Sequence, residues 1–198
     1  MVLALVGTLF LIVMAVGKPL HIVAFSIYGA CLIFLYCSSS LYHSLNVNER
    51  GERILRKLDH TGIFLLIAGT YVPVCMIALA PKFGITFLVL QGLFALTGIL
   101  GTFLFKKFPD VLNVVLYLLM GWMAVPAVGY MVAHWPGYAT GLLLAGGVTY
   151  TIGAIIFSLD KPHLVPGKFS AHDLWHIFVL GGSACHFFLM ATFVARIA

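Results

Sequence analysis

Seven apolar runs fill this chain almost end to end, at residues 2–16, 20–43, 61–80, 83–105, 111–133, 138–159 and 173–196. Each is bounded by charge, proline or glycine, and most approach the ~20 residues a helix needs to cross a bilayer. The breaks are Gly17-Lys18-Pro19, the polar run from Ser44 to Asp59, Pro81-Lys82, Lys106 to Asp110, His134 to Gly137, and Asp160 to His172. Only the second and sixth are long, and neither is low in complexity. Transmembrane strands alternate polar and apolar over about 10 residues. These runs are apolar on all sides and about twice that length. The expectation is an all-α polytopic membrane protein of seven transmembrane helices, forming a single domain over residues 1–198.

Composition agrees with this. Only 9% of the 198 residues are charged, against about a quarter in soluble domains, too few to cover a water-facing surface. The net charge of +5 does not point to nucleic acid, because the basic residues lie in short breaks, where they set orientation. Arg50, Arg53, Arg56, Lys57, Lys106, Lys107, Lys161 and Lys168 all fall in even-numbered breaks. Only Lys18, Lys82 and Arg196 fall on the other side. The N-terminus is therefore expected in the cytoplasm and the C-terminus outside. The expected location is a bacterial plasma membrane. Cys31, Cys37, Cys75 and Cys185 lie inside apolar runs without a CxxC pair, so they read as packing residues rather than a disulfide framework.

Two breaks carry further expectations. The first run lacks the basic start of a signal peptide and is short, so the first helix is expected to be incomplete. The charged stretch from Ser44 to Asp59 reads as a solvated cytoplasmic loop. A short helix is the alternative, since Glu49, Arg53 and the Arg56-Lys57 pair have i,i+4 and i,i+3 spacing.

His172 and His176 stand at the mouth of the seventh run. Four residues apart on a helix, their imidazoles fall on one face, about 40° apart. His43 ends the second run and Asp59 begins the third, which puts all four within about two helical turns of one membrane surface. A lone histidine at an interface is usually an anchor, and an H-x-x-x-H pair alone is weak evidence for a metal. The convergence of four costly polar groups is the stronger sign. Three imidazoles with one open position form a zinc arrangement, in which the bound water's pKa falls to about 7. Ser39 precedes His43 by one turn on the same face, where its hydroxyl can hold a substrate oxygen. Two carboxylates compete as the base: Asp59, and Asp173, which takes the place of glutamate in the H-E-x-x-H motif. Spacing does not choose between them.

The remaining histidines carry less. His21 and His134 read as interfacial, His60 as pointing elsewhere on its helix, and His163 as a loop residue. His186 lies some 15 Å from His176 by helical rise and reads as a buried hydrogen-bonding residue. Trp122, Trp135 and Trp175 read as part of aromatic belts. Gly98, Gly101, Gly146-Gly147 and Gly181-Gly182 suit close helix packing.

At Ser39-Ser40-Leu41-Tyr42-His43, Leu58-Asp59-His60-Thr61-Gly62-Ile63, and His172-Asp173-Leu174-Trp175-His176 with Cys185-His186-Phe187, the chain resembles the hemolysin III family. That family belongs with the progestin and adiponectin receptors and the alkaline ceramidases. The resemblance implies a zinc ion held by His43, His172 and His176, with Asp59 beside the activated water and Ser39 in support. It favours Asp59 over Asp173. The family's polar stretch with a Thr-His-Gly-like motif ahead of the first helix is missing here, which agrees with an incomplete N-terminus.

Four function classes follow. The chain is a zinc-dependent hydrolase of a membrane lipid amide or ester, a zinc-containing sensor or regulator of membrane lipid state, a cytolytic membrane protein, or an ion transporter. Little in the sequence favours cytolysis, since no amphipathic segment or secretion signal is present. Clustering of the polar groups at one surface disfavours transport. The partner expected for the first class is a membrane lipid; no nucleic acid partner is expected, and oligomeric state is not legible.

Overall fold

The computed structural model describes residues 1–105, 109–162 and 169–198. Lys106, Lys107, His163 and Lys168, which entered the sequence reading, lie outside the described residues. Every regular element among the described residues is helical: α1 (Val2–Met14), α2 (Pro19–Ser44), α3 (Glu49–Pro73), α4 (Pro81–Leu104), α5 (Asp110–Gly121), α6 (Val128–His134), α7 (Gly137–Leu159) and α8 (Ala171–Thr192). Among the described residues, six helical stretches are long and apolar enough to cross a membrane, and α1 is a shorter apolar helix. Leu3, Leu104 and Val111 stand among many large apolar side chains that face outward. Soluble monomers rarely expose such continuous apolar surface. The chain is a polytopic α-helical membrane protein.

Three details differ from the reading by apolar runs. Residues 49–58, expected as a solvated loop, are the first turns of α3. Glutamate, arginine, lysine and leucine are good helix formers, and the Asn48 side chain caps the start by accepting from the Gly51 N–H at 2.9 Å. Asp59 therefore lies ten residues inside its helix rather than at its start. The third run does not end as a plain helix either: α3 passes at Pro73 into a π-helical turn, Val74–Ala78. Proline has no N–H and crowds the carbonyl four residues back, which unsettles regular α geometry. In the fifth run, α5 gives way to a 3-10 stretch, Trp122–Ala127, that contains Pro126.

The described residues form two compact units, Met1–Met123 with Val194–Ala198, and Ala124–Phe193. In lipid, helix association relies on close packing and internal hydrogen bonds rather than on apolar burial. The first unit is built that way around α3. A methyl at Gly62 would stand 2.9 Å from the Leu35 backbone, and one at Gly69 would stand 2.8 Å from the Cys31 sulfur, so α2 and α3 approach closely through these glycines. Gly98 of α4 gives the same room to the Phe64 ring, which joins Ala95 and Met120 in a small buried core. Gln91 of α4 donates to the Met120 carbonyl at 2.8 Å, and the Tyr71 hydroxyl donates to the Gly121 carbonyl at 2.9 Å. The Lys18 ammonium donates to the Ile197 carbonyl at 2.6 Å and the Ala195 carbonyl at 3.3 Å.

The second unit pairs α7 with α8 by seating rings against glycines. Gly153 faces Phe178 and Trp175, Gly182 faces Tyr150, and Gly146 faces the His186 imidazole. The Tyr150 and Ser183 hydroxyls share a hydrogen bond of 2.9 Å across the pair. Tyr138 of α7 donates to the Thr192 carbonyl of α8 at 3.2 Å.

Candidate metal centre

The start of α8 is built by a reciprocal capping box. The Asp173 N–H donates to the Ser170 hydroxyl oxygen at 3.3 Å, and the Ser170 backbone N–H donates to the Asp173 carboxylate at 2.8 Å. The Ser170 hydroxyl itself donates to the same carboxylate oxygen at 2.8 Å. Two of the orphan donors at a helix start are satisfied this way. The box fixes the first turn and brings His172 and His176 onto one face. Their rings stand 4.6 Å apart at an interplanar angle of 89°. Both are half-buried. Phe157 of α7 backs the pair, 5.9 Å from the His172 ring and 5.7 Å from Trp175. The box also gives Asp173 a role that spacing had left open. Its carboxylate holds the helix start.

In the first unit, α2 delivers Ser39 and His43 one turn apart at its end. Ser39 is half-buried and His43 is exposed, with the Tyr42 ring 4.8 Å from the imidazole. Asp59 is half-buried on α3. Three residues further on, Gly62 meets Leu35 and the Ser38 hydroxyl of α2. The helix that carries Ser39 and His43 thus packs against the helix that carries Asp59.

Around Asp59, Arg56 and His60 meet Asp110 and Tyr117 of α5, contacts that the sequence did not announce. Arg56 forms a two-pronged ion pair with Asp110 at the start of α5, at 2.9 and 2.8 Å. His60 stands with Nδ1 2.9 Å from the Arg56 carbonyl and Nε2 3.7 Å from the Asp110 carboxylate. The Tyr117 hydroxyl of α5 donates to the His60 carbonyl at 3.2 Å. Together these contacts fasten α3 to α5 on both sides of Asp59. The i,i+4 spacing of Arg56 and His60 was the available signal, but Asp110 is too distant in sequence to be linked to them by spacing.

His21, expected at an interface, is buried. His134 is exposed, stacked on Tyr130 with Nδ1 at 2.9 Å from the Tyr130 carbonyl. His186 is buried as expected and stacks on Tyr150 at 5.6 Å, and its Nδ1 has no hydrogen-bond partner among the described residues. All four cysteines are free, and Cys75 is buried.

The sequence matches the family described as Haemolysin-III related over residues 1–187. The chain belongs to that family. It is 37% identical to Hemolysin-3 of Bacillus cereus over 178 residues, covering 90% of this chain and 78% of that one. It is 36% identical to the Hemolysin-3 homolog of Bacillus subtilis (strain 168) over 197 residues, 98% of this chain and 89% of the relative. More distant is the human Monocyte to macrophage differentiation factor, 26% identical over 176 residues, 86% of this chain and 70% of that one. Within the Haemolysin-III related family this chain is a multi-pass membrane protein with a histidine pair at the start of α8.

Proposed function

We propose that this Haemolysin-III related protein is a zinc-dependent hydrolase of a lipid amide or ester, working at the cytoplasmic side of a bacterial plasma membrane. The observation that carries the reading is the His172–His176 pair, whose rings stand 4.6 Å apart on one face of α8; His43, at the end of α2, is the proposed third donor. Nitrogens around one tetrahedral zinc, at about 2.0–2.1 Å from the metal, stand about 3.4 Å apart. Side-chain rotation brings two imidazoles at the spacing of the His172–His176 pair to that distance, so the pair fits the ion. A structural zinc site is closed by four protein ligands, whereas three leave a position open for water. With His43, His172 and His176 as its three protein ligands, the proposed site leaves that position to water, as a catalytic site does.

When bound, zinc supplies Lewis acidity and lowers the pKa of water to about 7. The chain's own residues do the rest. His43, His172 and His176 hold the ion. Asp59 accepts the proton of the attacking water and returns it to the leaving amine or alcohol. The Ser39 hydroxyl donates to the oxygen on which negative charge develops. The Asp110–Arg56–His60 contacts keep α3, and with it Asp59, in place against α5. The setting supports the substrate class: Ser39, Asp59, His172 and His176 are half-buried near the ends of apolar runs, which suits a substrate whose head lies at the surface and whose tail lies in the bilayer.

The test is release of fatty acid from lipid amides and esters by purified, zinc-loaded protein in detergent, followed by mass spectrometry. Turnover is expected, and Asp59→Asn is expected to lower it by about 10²–10⁴-fold with metal content unchanged. Zinc-loaded wild type that turns over no lipid amide or ester would leave a regulator of membrane lipid state as the better reading.

A further inference from the structure

α3 and its π-helical turn run unbroken from Glu49 to Ala78, 30 residues. At 1.5 Å per residue that is ~45 Å, some 15 Å more than a ~30 Å hydrocarbon core accommodates. The surplus lies at the N-terminal end, because every charged residue of the stretch falls between Glu49 and Asp59 and residues 61–78 carry none. About ten residues of α3 therefore stand in the headgroup layer. Around the helix axis, Arg50, Arg53 and Lys57 share a stripe about 60° wide. Glu52 and Asp59 fall on the opposite side of the helix. Arg56 is turned away to Asp110.

The stripe is open to a ligand. Arg50 is exposed. Arg53 meets Glu49 at 3.5 Å, with the two side chains 66% and 92% exposed. An exposed i,i+4 pair of that kind contributes little, so the guanidinium is available. Lys57 lies over the Phe103 ring at 5.4 Å and spends one donor on the Phe103 carbonyl at 3.2 Å, which leaves two N–H groups. Ile54 is exposed beside the stripe and offers apolar contact toward the bilayer.

We propose that Arg50, Arg53 and Lys57 form a docking stripe for the phosphate of an anionic phospholipid headgroup. Charge complementarity selects the anion, and guanidinium groups suit phosphate oxygens in particular. The position selects the lipid. The stripe is continuous with the membrane-crossing part of the same helix, at the depth where headgroup phosphates lie, and basic clusters next to a span attract anionic lipids. This inference does not rest on the metal site.

The test is native mass spectrometry of the full chain in detergent, titrated with phosphatidylglycerol or with phosphatidylcholine, which has no net charge. Wild type is expected to retain phosphatidylglycerol preferentially. Removing one basic residue near the surface corresponds to about a fivefold loss, so Arg50→Gln with Arg53→Gln is expected to weaken retention by about 25-fold. Glu49→Gln with Glu52→Gln, which removes opposing charge and leaves the stripe intact, is expected to strengthen it. Three results would overturn the proposal: equal retention of the two lipids, phosphatidylglycerol binding unchanged in both double variants, or full displacement of phosphatidylglycerol by an equal concentration of inorganic phosphate.

Discussion

The α2–α3 pair and the α7–α8 pair use one device, glycine at a helix crossing, in two ways. In the first, Gly62 lets backbone meet backbone, facing Leu35 directly, and Gly69 meets only the short Cys31 side chain. In the second, glycine makes a recess for a ring, and the rings so housed include His186 and Tyr150. The difference matters for how each pair tolerates change. A backbone contact relaxes only if a whole helix moves, whereas a ring can rotate or tilt within its recess. The α2–α3 pair is therefore suited to hold Ser39 and Asp59 on a rigid frame. The α7–α8 pair admits bulky polar side chains at membrane depth, among them His186 and Tyr150, which is hydrogen-bonded to Ser183.

The contrast is breakable in steps. The largest effect is expected for Gly62→Ala, whose methyl meets the Leu35 backbone and the Ser38 hydroxyl. Overpacking of that kind costs about 1–3 kcal/mol, and a lowered denaturation midpoint in detergent measures it. Gly146→Ala comes next. Its methyl would stand 2.7 Å from His186 Nε2, and the cost is expected near the lower end of that range, about 1 kcal/mol. Combining it with His186→Ala should recover part of that loss in a double-mutant cycle. If Gly146→Ala proves costlier than Gly62→Ala, the distinction between ring recess and backbone contact is wrong. Ser170→Ala is smaller and local. It removes the hydroxyl of the α8 capping box, so amide exchange is expected to speed up in the first turn of α8 and to stay unchanged at Glu49 to Glu52. At the favourable end is Gly92→Ala on α4, where nothing lies within 4 Å of the added methyl. Helix propensity alone then predicts a gain of up to about 1 kcal/mol.

The fold was legible wherever apolarity and helicity coincide. Long apolar runs have one solution in lipid, and α2, α4, α7 and α8 follow them closely. The reading failed at residues 49–58 because charge reports contact with water and says nothing against a helix; Asn48 and the helix-forming charged residues settle that stretch. The 3-10 stretch at Trp122–Ala127 was invisible to hydropathy, although Pro126 marks it. At the candidate site, the His172–His176 pair was legible because i,i+4 spacing is a local property of a helix. The role of Asp173 was legible too, in the Ser170-x-x-Asp173 pattern of a capping box, which the comparison with H-E-x-x-H obscured. The Arg56–Asp110 bond joins residues 54 apart, and no local pattern announces such a pair.

The proposed function requires that His43 join His172 and His176 in holding one metal ion. Its most direct test is elemental analysis of the protein purified in detergent, beside His43→Ala, His172→Ala and His176→Ala, with folding checked by circular dichroism. About one zinc per chain is expected in the wild type and loss of it in each folded variant. A folded wild type that stays metal-free after zinc is supplied, or a His43→Ala variant that keeps its zinc, would contradict it.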